Sequence, residues 1–165
     1  MRFEHLIEIN DPLMPLLTPL TRAQLWRGLV RRAEQPTEFV MGLEGYAVRS
    51  CGETASGAWL ERRLDFGNFA VEDRVELTPM TDSFTRAAAG PGWPASTLAI
   101  RIEEPQPEAL YLRFVYEFDD GAANDADVGV EAAQTLALRR QAYYSADLDT
   151  VQRIRELAEA GALGD

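Results

Sequence analysis

Hydrophobic and polar positions alternate along much of the chain before residue 120, a pattern typical of β-strands with one buried face. The alternating stretches are residues 2–9, 46–52, 58–66, 69–77, 83–88, 96–102 and 109–119. Only short turn-forming segments separate the last six, so consecutive strands should pair as antiparallel hairpins. The sequence therefore predicts a seven-stranded antiparallel sheet, of which six strands form a meander.

Helical signals lie on either side of the meander. Thr21 and Gln24 have the spacing of a capping box, and Leu20 and Leu25 that of a hydrophobic staple, so a helix should begin there and run to about residue 34. The stretch PTEFVMG that follows allows one more short helical turn. The arginines of the first helix are predicted to lie on its solvated side; they are Arg22, Arg27, Arg31 and Arg32.

The end of the chain carries a long helical segment. It should span residues 126–145, with Asn124 or Asp125 as its cap. Asp149 and Gln152 repeat the capping-box spacing, so we expect the helix to pause around residues 145–149 before it continues. A twisted sheet leaves a concave apolar face that one helix covers incompletely, which predicts a cavity between the two within a single domain, residues 1–165.

A tight turn at Gly67-Asn68 fixes the register of one hairpin. In that register Arg62 opposes Asp73 on a face that is otherwise aliphatic. An isolated charge is strongly disfavoured there, so the two side chains should pair. The pair is either a structural salt bridge or a polar spot in a binding cavity, and the sequence leaves both readings open.

His5 shares one face of the first strand with Phe3, Ile7 and Ile9. A histidine in such a row is either a hydrogen-bonded core residue or an acid, base or ligand contact in a cavity. The last strand places Phe114 and Tyr116 on a heavily aromatic face.

Composition excludes several classes of function. The chain has 165 residues, 46% of them hydrophobic, and a net charge of −11, which repels nucleic acids and anionic membranes. All 16 basic residues are arginines, so a Schiff-base lysine and a P-loop lysine are impossible. No apolar run approaches the roughly 20 residues that span a bilayer, and no signal-peptide core begins the chain. We therefore expect a cytoplasmic protein without membrane insertion.

Cys51 is the single cysteine and His5 the single histidine. An intrachain disulfide and a zinc site of cysteines and histidines cannot be built from them, and we expect neither a metal nor a cofactor. A nucleophile and base formed by the two is disfavoured, because Cys51 lies in no catalytic motif and free cysteines are usually buried.

Three stretches, FEHLIEIND, LERRLDFGNF and YYSADLDTVQRIREL, together with the element order, resemble the START and birch-pollen-allergen superfamily, also called SRPBCC. They are most similar to a bacterial, AtaL-like branch of it. The resemblance covers the whole chain and implies an α+β helix-grip fold: a seven-stranded curved antiparallel sheet wrapped around a long C-terminal helix, with two short helices after strand one. It turns the inward residues into cavity residues: His5, Ile7, Leu60, Arg62, Leu64, Asp73, Val75, Phe114, Tyr116 and one or both of Tyr143 and Tyr144.

The superfamily includes lipid carriers, hormone receptors, polyketide cyclases and aromatases, and hydrolase activators. Our leading prediction is a cofactor-free protein that binds or carries a small hydrophobic, amphipathic or aromatic molecule. The first alternative is a cyclase, aromatase, dehydratase or isomerase, with Asp73 or His5 as general base and Arg62 holding an enolate or carboxylate. The second is a regulatory module that binds a basic partner through its acidic surface. A homodimer is also expected, since two-fold association is the commonest oligomeric form.

Overall fold

The computed structural model describes residues 1–120 and 129–165. Its strands are β1 (Arg2–Glu8), β2 (Gly45–Thr54), β3 (Gly57–Asp65), β4 (Ala70–Thr78), β5 (Asp82–Ala87), β6 (Ser96–Gln106) and β7 (Ala109–Phe118). Its helices are α1 (Arg22–Glu34), a short 3-10 helix (Pro36–Glu38) and α2 (Val130–Glu159).

The seven strands form one antiparallel sheet in the order β1-β7-β6-β5-β4-β3-β2. The sheet curves around α2, which confirms the helix-grip fold. β1 pairs with the last strand, β7, and forms one edge of the sheet. β2 forms the other edge.

The β3–β4 hairpin has the predicted register. Arg62 lies opposite Asp73, with Leu60 opposite Val75 on the same face. On the outer face the Arg74 guanidinium lies 2.9 Å from the Glu61 carboxylate. The alternation and the turn were sufficient to predict this pairing because a one-residue slip would have moved every aliphatic side chain to the solvated face.

α1 begins at the predicted cap. The Gln24 backbone N–H donates to the Thr21 hydroxyl, and the Gln24 side chain accepts from the Thr21 backbone N–H. Leu25 and Leu29 then enter the main apolar core between α1, the C-terminal half of α2 and the β1, β6 and β7 strands. A second, smaller core of Leu60, Val75 and Leu77 lies beneath Ala33 at the end of α1.

The predicted pause in the C-terminal helix is wrong, because α2 is continuous from Val130 to Glu159. No glycine or proline interrupts this segment. The helical backbone therefore continues past residue 149, and the capping-box spacing of Asp149 and Gln152 does not mark a new helix start. The predicted cap at Asn124 or Asp125 and helical residues 126–128 lie outside the described residues.

The expected burial of Cys51 is also wrong. Cys51 is exposed on β2, an edge strand that the described helices leave largely uncovered. His5 lies on β1, at the opposite edge of the sheet. Five strands separate the two side chains, so they cannot act together as nucleophile and base.

α1 and α2 pack closely against each other at Gly28. A β-carbon at this position would lie 2.7 Å from Cγ2 of Ile154, a fully buried side chain. We expect Gly28→Leu to lower the free energy of unfolding by about 1–3 kcal/mol in urea titrations, because the helices would have to move apart. The double variant Gly28→Leu with Ile154→Ala is the control. If the two single effects simply add, a clash at Ile154 is not the cause.

Candidate functional site

A buried polar cluster lies where the middle of α2 crosses the β1 and β7 strands. Asp147 projects from α2 toward the sheet and is only 1% exposed. Its Oδ2 lies 2.7 Å from Nδ1 of His5, and its Oδ1 accepts a 2.5 Å hydrogen bond from the Tyr116 hydroxyl. The register explains the convergence, because His5 pairs with Phe114 and Tyr116 with Phe3, which puts His5 and Tyr116 diagonally adjacent on the inner face.

Burial raises two pKa values in this cluster. Burial raises the pKa of Asp147 above its usual range, although the hydrogen bonds from Tyr116 and His5 act in the opposite direction. Burial, followed by the neighbouring Asp147 charge, raises the pKa of Tyr116 far above neutrality. Tyr116 therefore remains a hydrogen-bond donor to Asp147 at physiological pH.

His5 keeps one ring nitrogen unused. With the Asp147 carboxylate as acceptor, Nδ1 is the hydrogen-bond donor, and Nε2 takes no part in this contact. Nε2 is buried and has no hydrogen-bond partner among the described residues. Tyr144 packs its edge against the imidazole at a centroid distance of 5.2 Å, and Tyr143 lies 4.7 Å from the Tyr116 ring. Both tyrosines thus contact the cluster. Tyr144 is exposed and Tyr143 is half-buried.

Arg62 and Asp73 are the partners that the sequence predicted. Nε and Nη2 of Arg62 donate to the two carboxylate oxygens of Asp73 at 2.9 and 2.5 Å, and Nη1 donates to the Ala33 carbonyl at 2.8 Å. Arg62 is 4% exposed. Because both oxygens of Asp73 and all three Arg62 nitrogens are engaged, the pair joins the β3–β4 hairpin to the end of α1.

Arg32 corrects a prediction made from the sequence. It does not lie on the solvated side of α1 but points into the protein, where burial lowers its pKa and the nearby ionisable groups are those of Tyr116, Arg62, Asp147 and Asp73. Its Nε is buried without a hydrogen-bond partner among the described residues.

The other predicted cavity residues are buried, and all but Leu64 lie in one of the two cores. Ile7 and Phe114 belong to the main core, and Phe114 has no accessible surface. Leu60 and Val75 belong to the second core, and Leu64 is buried beside them on β3. Their predicted contact with a ligand stays a prediction.

Sequence reasoning missed Arg32 and Asp147, although spacing carried a signal for both. Arg32 follows Leu25 by seven residues and Leu29 by three, which places it on the same side of α1. Asp147 likewise precedes Val151 by four residues on the inward side of α2. A charged residue within an apolar stripe was therefore the signal in both helices.

Part of the concave face is open among the described residues. Tyr46 and Val48 on β2 lie opposite Leu64 and Arg62, on the same face of the sheet, and are 38% and 45% exposed. Leu98, on a central strand, is only half-buried and packs against the edge of the main core. The open part of the inner surface is therefore mostly apolar. Among the described residues of the interior, His5 and Arg32 each have a buried nitrogen without a hydrogen-bond partner.

Metal-binding clusters and membrane-spanning helices are both absent from residues 1–120 and 129–165. No three His, Cys, Asp or Glu side chains there cluster as ligands of a metal ion would. None of the helices in the described ranges is long and apolar enough to cross a membrane.

The sequence matches one family model. The family described as acetylaranotin biosynthesis cluster protein L, abbreviated AtaL, matches residues 7–161. Comparison with curated proteins found no match.

Solved structures share the fold at low sequence identity. The Zhui aromatase/cyclase from Streptomyces sp. R1128 is 17% identical, with a TM-score of 0.61 over 95% of this chain and 94% of that chain. Ara h 8.0201 is a second similar structure, 12% identical, with a TM-score of 0.56 over 97% and 98% of the two chains. The di-domain ARO/CYC StfQ from the steffimycin biosynthetic pathway is 11% identical, with a TM-score of 0.59 over 98% of this chain and 51% of that chain.

Proposed function

Because the chain belongs to the AtaL family, we propose that it binds a small, mostly apolar molecule between the concave face of its sheet and α2. One observation carries the proposal: Nε2 of His5 and Nε of Arg32 are buried, face the interior and have no partner among the described residues. Buried polar groups are almost always hydrogen-bonded, so a bound molecule with polar atoms at these points would complete the site. The half-buried aromatic and aliphatic side chains around them suit an apolar body.

The chemical class of the molecule follows from the surroundings and from the relatives. Tyr143 and Tyr116 offer aromatic rings next to His5, and such rings stack well on planar ligands. Two of the similar structures are named as aromatase/cyclases. Together these support an aromatic or polyketide-like ligand over a saturated lipid.

Native mass spectrometry of gently purified protein tests the binding proposal. We expect a population heavier than the apo chain by one small molecule, which denaturation releases for identification. Titration with N-phenylnaphthylamine, a neutral fluorescent aromatic probe, provides a second measurement. A chain that carries no molecule and also fails to bind this probe would contradict the proposal.

A catalytic role is the second candidate, and the cluster of His5, Asp147 and Tyr116 favours it. Nε2 of His5 could remove a proton from a carbon next to a carbonyl, while Asp147 stabilises the imidazolium that forms. The resulting enolate would attack a second carbonyl of the same molecule, forming a C–C bond. The new alkoxide would take the proton back from His5. Loss of water and enolisation of the remaining ring carbonyls would then give an aromatic ring.

In this scheme His5, and not Asp73, is the base. Both oxygens of Asp73 are bound to Arg62, so removal of a substrate proton by Asp73 would require the salt bridge to break. Each Arg62 nitrogen already donates a hydrogen bond, so an enolate would compete with Asp73 and the Ala33 carbonyl for this side chain.

Two other expectations remain predictions. A basic partner bound through the acidic surface should be captured at low salt and lost as salt rises, because the attraction is screened. A homodimer should have twice the chain mass in light scattering.

A further inference from the structure

Arg32 faces the interior of this protein and forms no ion pair among the described residues. Arg32 lies in the last turn of α1, and Leu25 and Leu29 on the same helix fix its direction because both are buried in the main core. The helix therefore cannot turn Arg32 outward without exposing these leucines. Within residues 1–120 and 129–165, no carboxylate forms an ion pair with Arg32.

The two buried carboxylates of residues 1–120 and 129–165, Asp73 and Asp147, already accept hydrogen bonds from other groups. Asp147 accepts hydrogen bonds from His5 and Tyr116, and Asp73 accepts two from Arg62. A guanidinium has five N–H donors and stays protonated, so burying it without acceptors is unfavourable. Other inward arginines have such acceptors: Arg155 donates to the Ile9 and Thr18 carbonyls, and Arg62 to Asp73 and Ala33.

Arg32 also has accessible surface despite its depth. The residue is only half-buried, although its Nε is fully enclosed and its pKa is lowered by burial. A side chain deep in the protein that still has accessible surface lines a space rather than a packed core. The remaining donors of its guanidinium are therefore available to a molecule within that space.

We propose that Arg32 is an anion-binding residue and that the ligand of this site carries an acidic group, such as a carboxylate or an enolate, within hydrogen-bond reach of its guanidinium. The inference rests on the proposed binding function and deepens it by naming the ligand class. The planar guanidinium can donate two parallel hydrogen bonds to a pair of anionic oxygens, which gives orientation as well as affinity. An acid bound there would lie in the same inner space that Nε2 of His5 faces, and its apolar body would contact the aromatic surface near Tyr116.

Two probes that differ by one acidic group test the inference. N-phenylnaphthylamine is neutral, and anilinonaphthalene sulfonate has the same ring system with a sulfonate added. We expect the wild-type protein to bind both at one molecule per chain. Arg32→Met should weaken sulfonate binding about 10- to 100-fold, as expected for loss of a charge-assisted hydrogen bond, and change binding of the neutral probe by less than about twofold.

Arg27→Met is the matched control. It removes the same charge from an exposed position on the same helix, so it should leave the affinity for both probes unchanged. Equal affinities of wild type and Arg32→Met for the sulfonate, or equal losses for both probes, would overturn the inference while leaving the binding function in place. An Arg32→Met chain that fails to fold would overturn it too, because Arg32 would then be a structural countercharge. Failure of the wild type to bind the neutral probe would instead contradict the proposed function itself.

Discussion

Replacing Arg62 by methionine is expected to lower the free energy of unfolding by about 3–5 kcal/mol. The substitution leaves the Asp73 carboxylate buried on the inner face without either of its hydrogen-bond donors, and it removes the donor to the Ala33 carbonyl. An uncompensated buried charge is far costlier than the loss of an exposed ion pair. Urea titration at neutral pH measures the effect.

The double variant Arg62→Met with Asp73→Leu should recover most of this loss, because it removes both buried charges together. Arg49→Met, in which an exposed arginine of β2 is replaced, is the matched control and should change stability by less than about 0.5 kcal/mol. An Arg62→Met variant as stable as the wild type would mean that Asp73 takes up a proton or finds another donor. The ion pair would then contribute little to the stability of the fold.

Exchange of the two charges separates a structural role of this pair from contact with a ligand. In Arg62→Asp with Asp73→Arg the two side chains can still pair, so part of the stability should survive. We expect the variant to bind N-phenylnaphthylamine as the wild type does, since the hydrogen bonds of both side chains are to protein groups. A folded variant that has lost the probe would instead place Arg62 or Asp73 against the ligand.

Asp147→Asn is expected to slow base-catalysed ring opening of nitrobenzisoxazole by at least about 100-fold. In this probe reaction a base removes the ring C–H proton, the N–O bond breaks, and a coloured cyano-nitrophenolate is released. In the proposed scheme Asp147 accepts a hydrogen bond from Nδ1 of His5, and its negative charge would stabilise the imidazolium that forms. An amide cannot supply the negative charge. Asp149→Asn, an exposed substitution on the same helix, should leave the rate unchanged.

The same variant should not lose stability at neutral pH. Burial raises the pKa of Asp147, so folding favours its neutral form. The stability gained from that form is fully present below the unfolded pKa of about 3.9 and is lost as the pH rises through the higher folded pKa. The amide introduced by the substitution stays neutral throughout, so Asp147→Asn should become more stable relative to wild type as the pH rises above about 4.

Urea titrations across this pH range measure whether Asp147→Asn is more or less stable than the wild type. An Asp147→Asn variant that is less stable than the wild type at every pH would mean that the carboxylate stabilises the fold. The cluster would then be a structural hydrogen-bond network, and the catalytic candidate would lose its main support. If Asp147→Asn is more stable but slower than the wild type, Asp147 serves function and lowers the stability of the fold.

The strands and the hairpin register follow from local rules, so the sequence was sufficient for them. Alternation located all seven strands, and the Gly67-Asn68 turn fixed Arg62 opposite Asp73. Residues that face each other across a tight turn are determined by counting, and a buried charge requires a partner. The capping box at Thr21 is local in the same sense.

The polar cluster could not be predicted in this way. His5 and Asp147 lie 142 positions apart, and they meet because β1 joins the sheet beside the last strand while α2 crosses both. The rotation of α2 is not fixed by a local motif, since contacts along its whole length determine it.

The position of Arg32 also depends on tertiary packing and not on a local motif. Its sequence neighbours suggested a solvated arginine-rich face, but packing of Leu25 and Leu29 rotates α1 so that Arg32 points inward. The sequence by itself determined which segments are strands and helices, and one ion pair between neighbouring strands. Only the tertiary structure decided which polar groups meet inside, because burial of the apolar faces of α1 and α2 sets the rotation of each helix and carries its polar residues along.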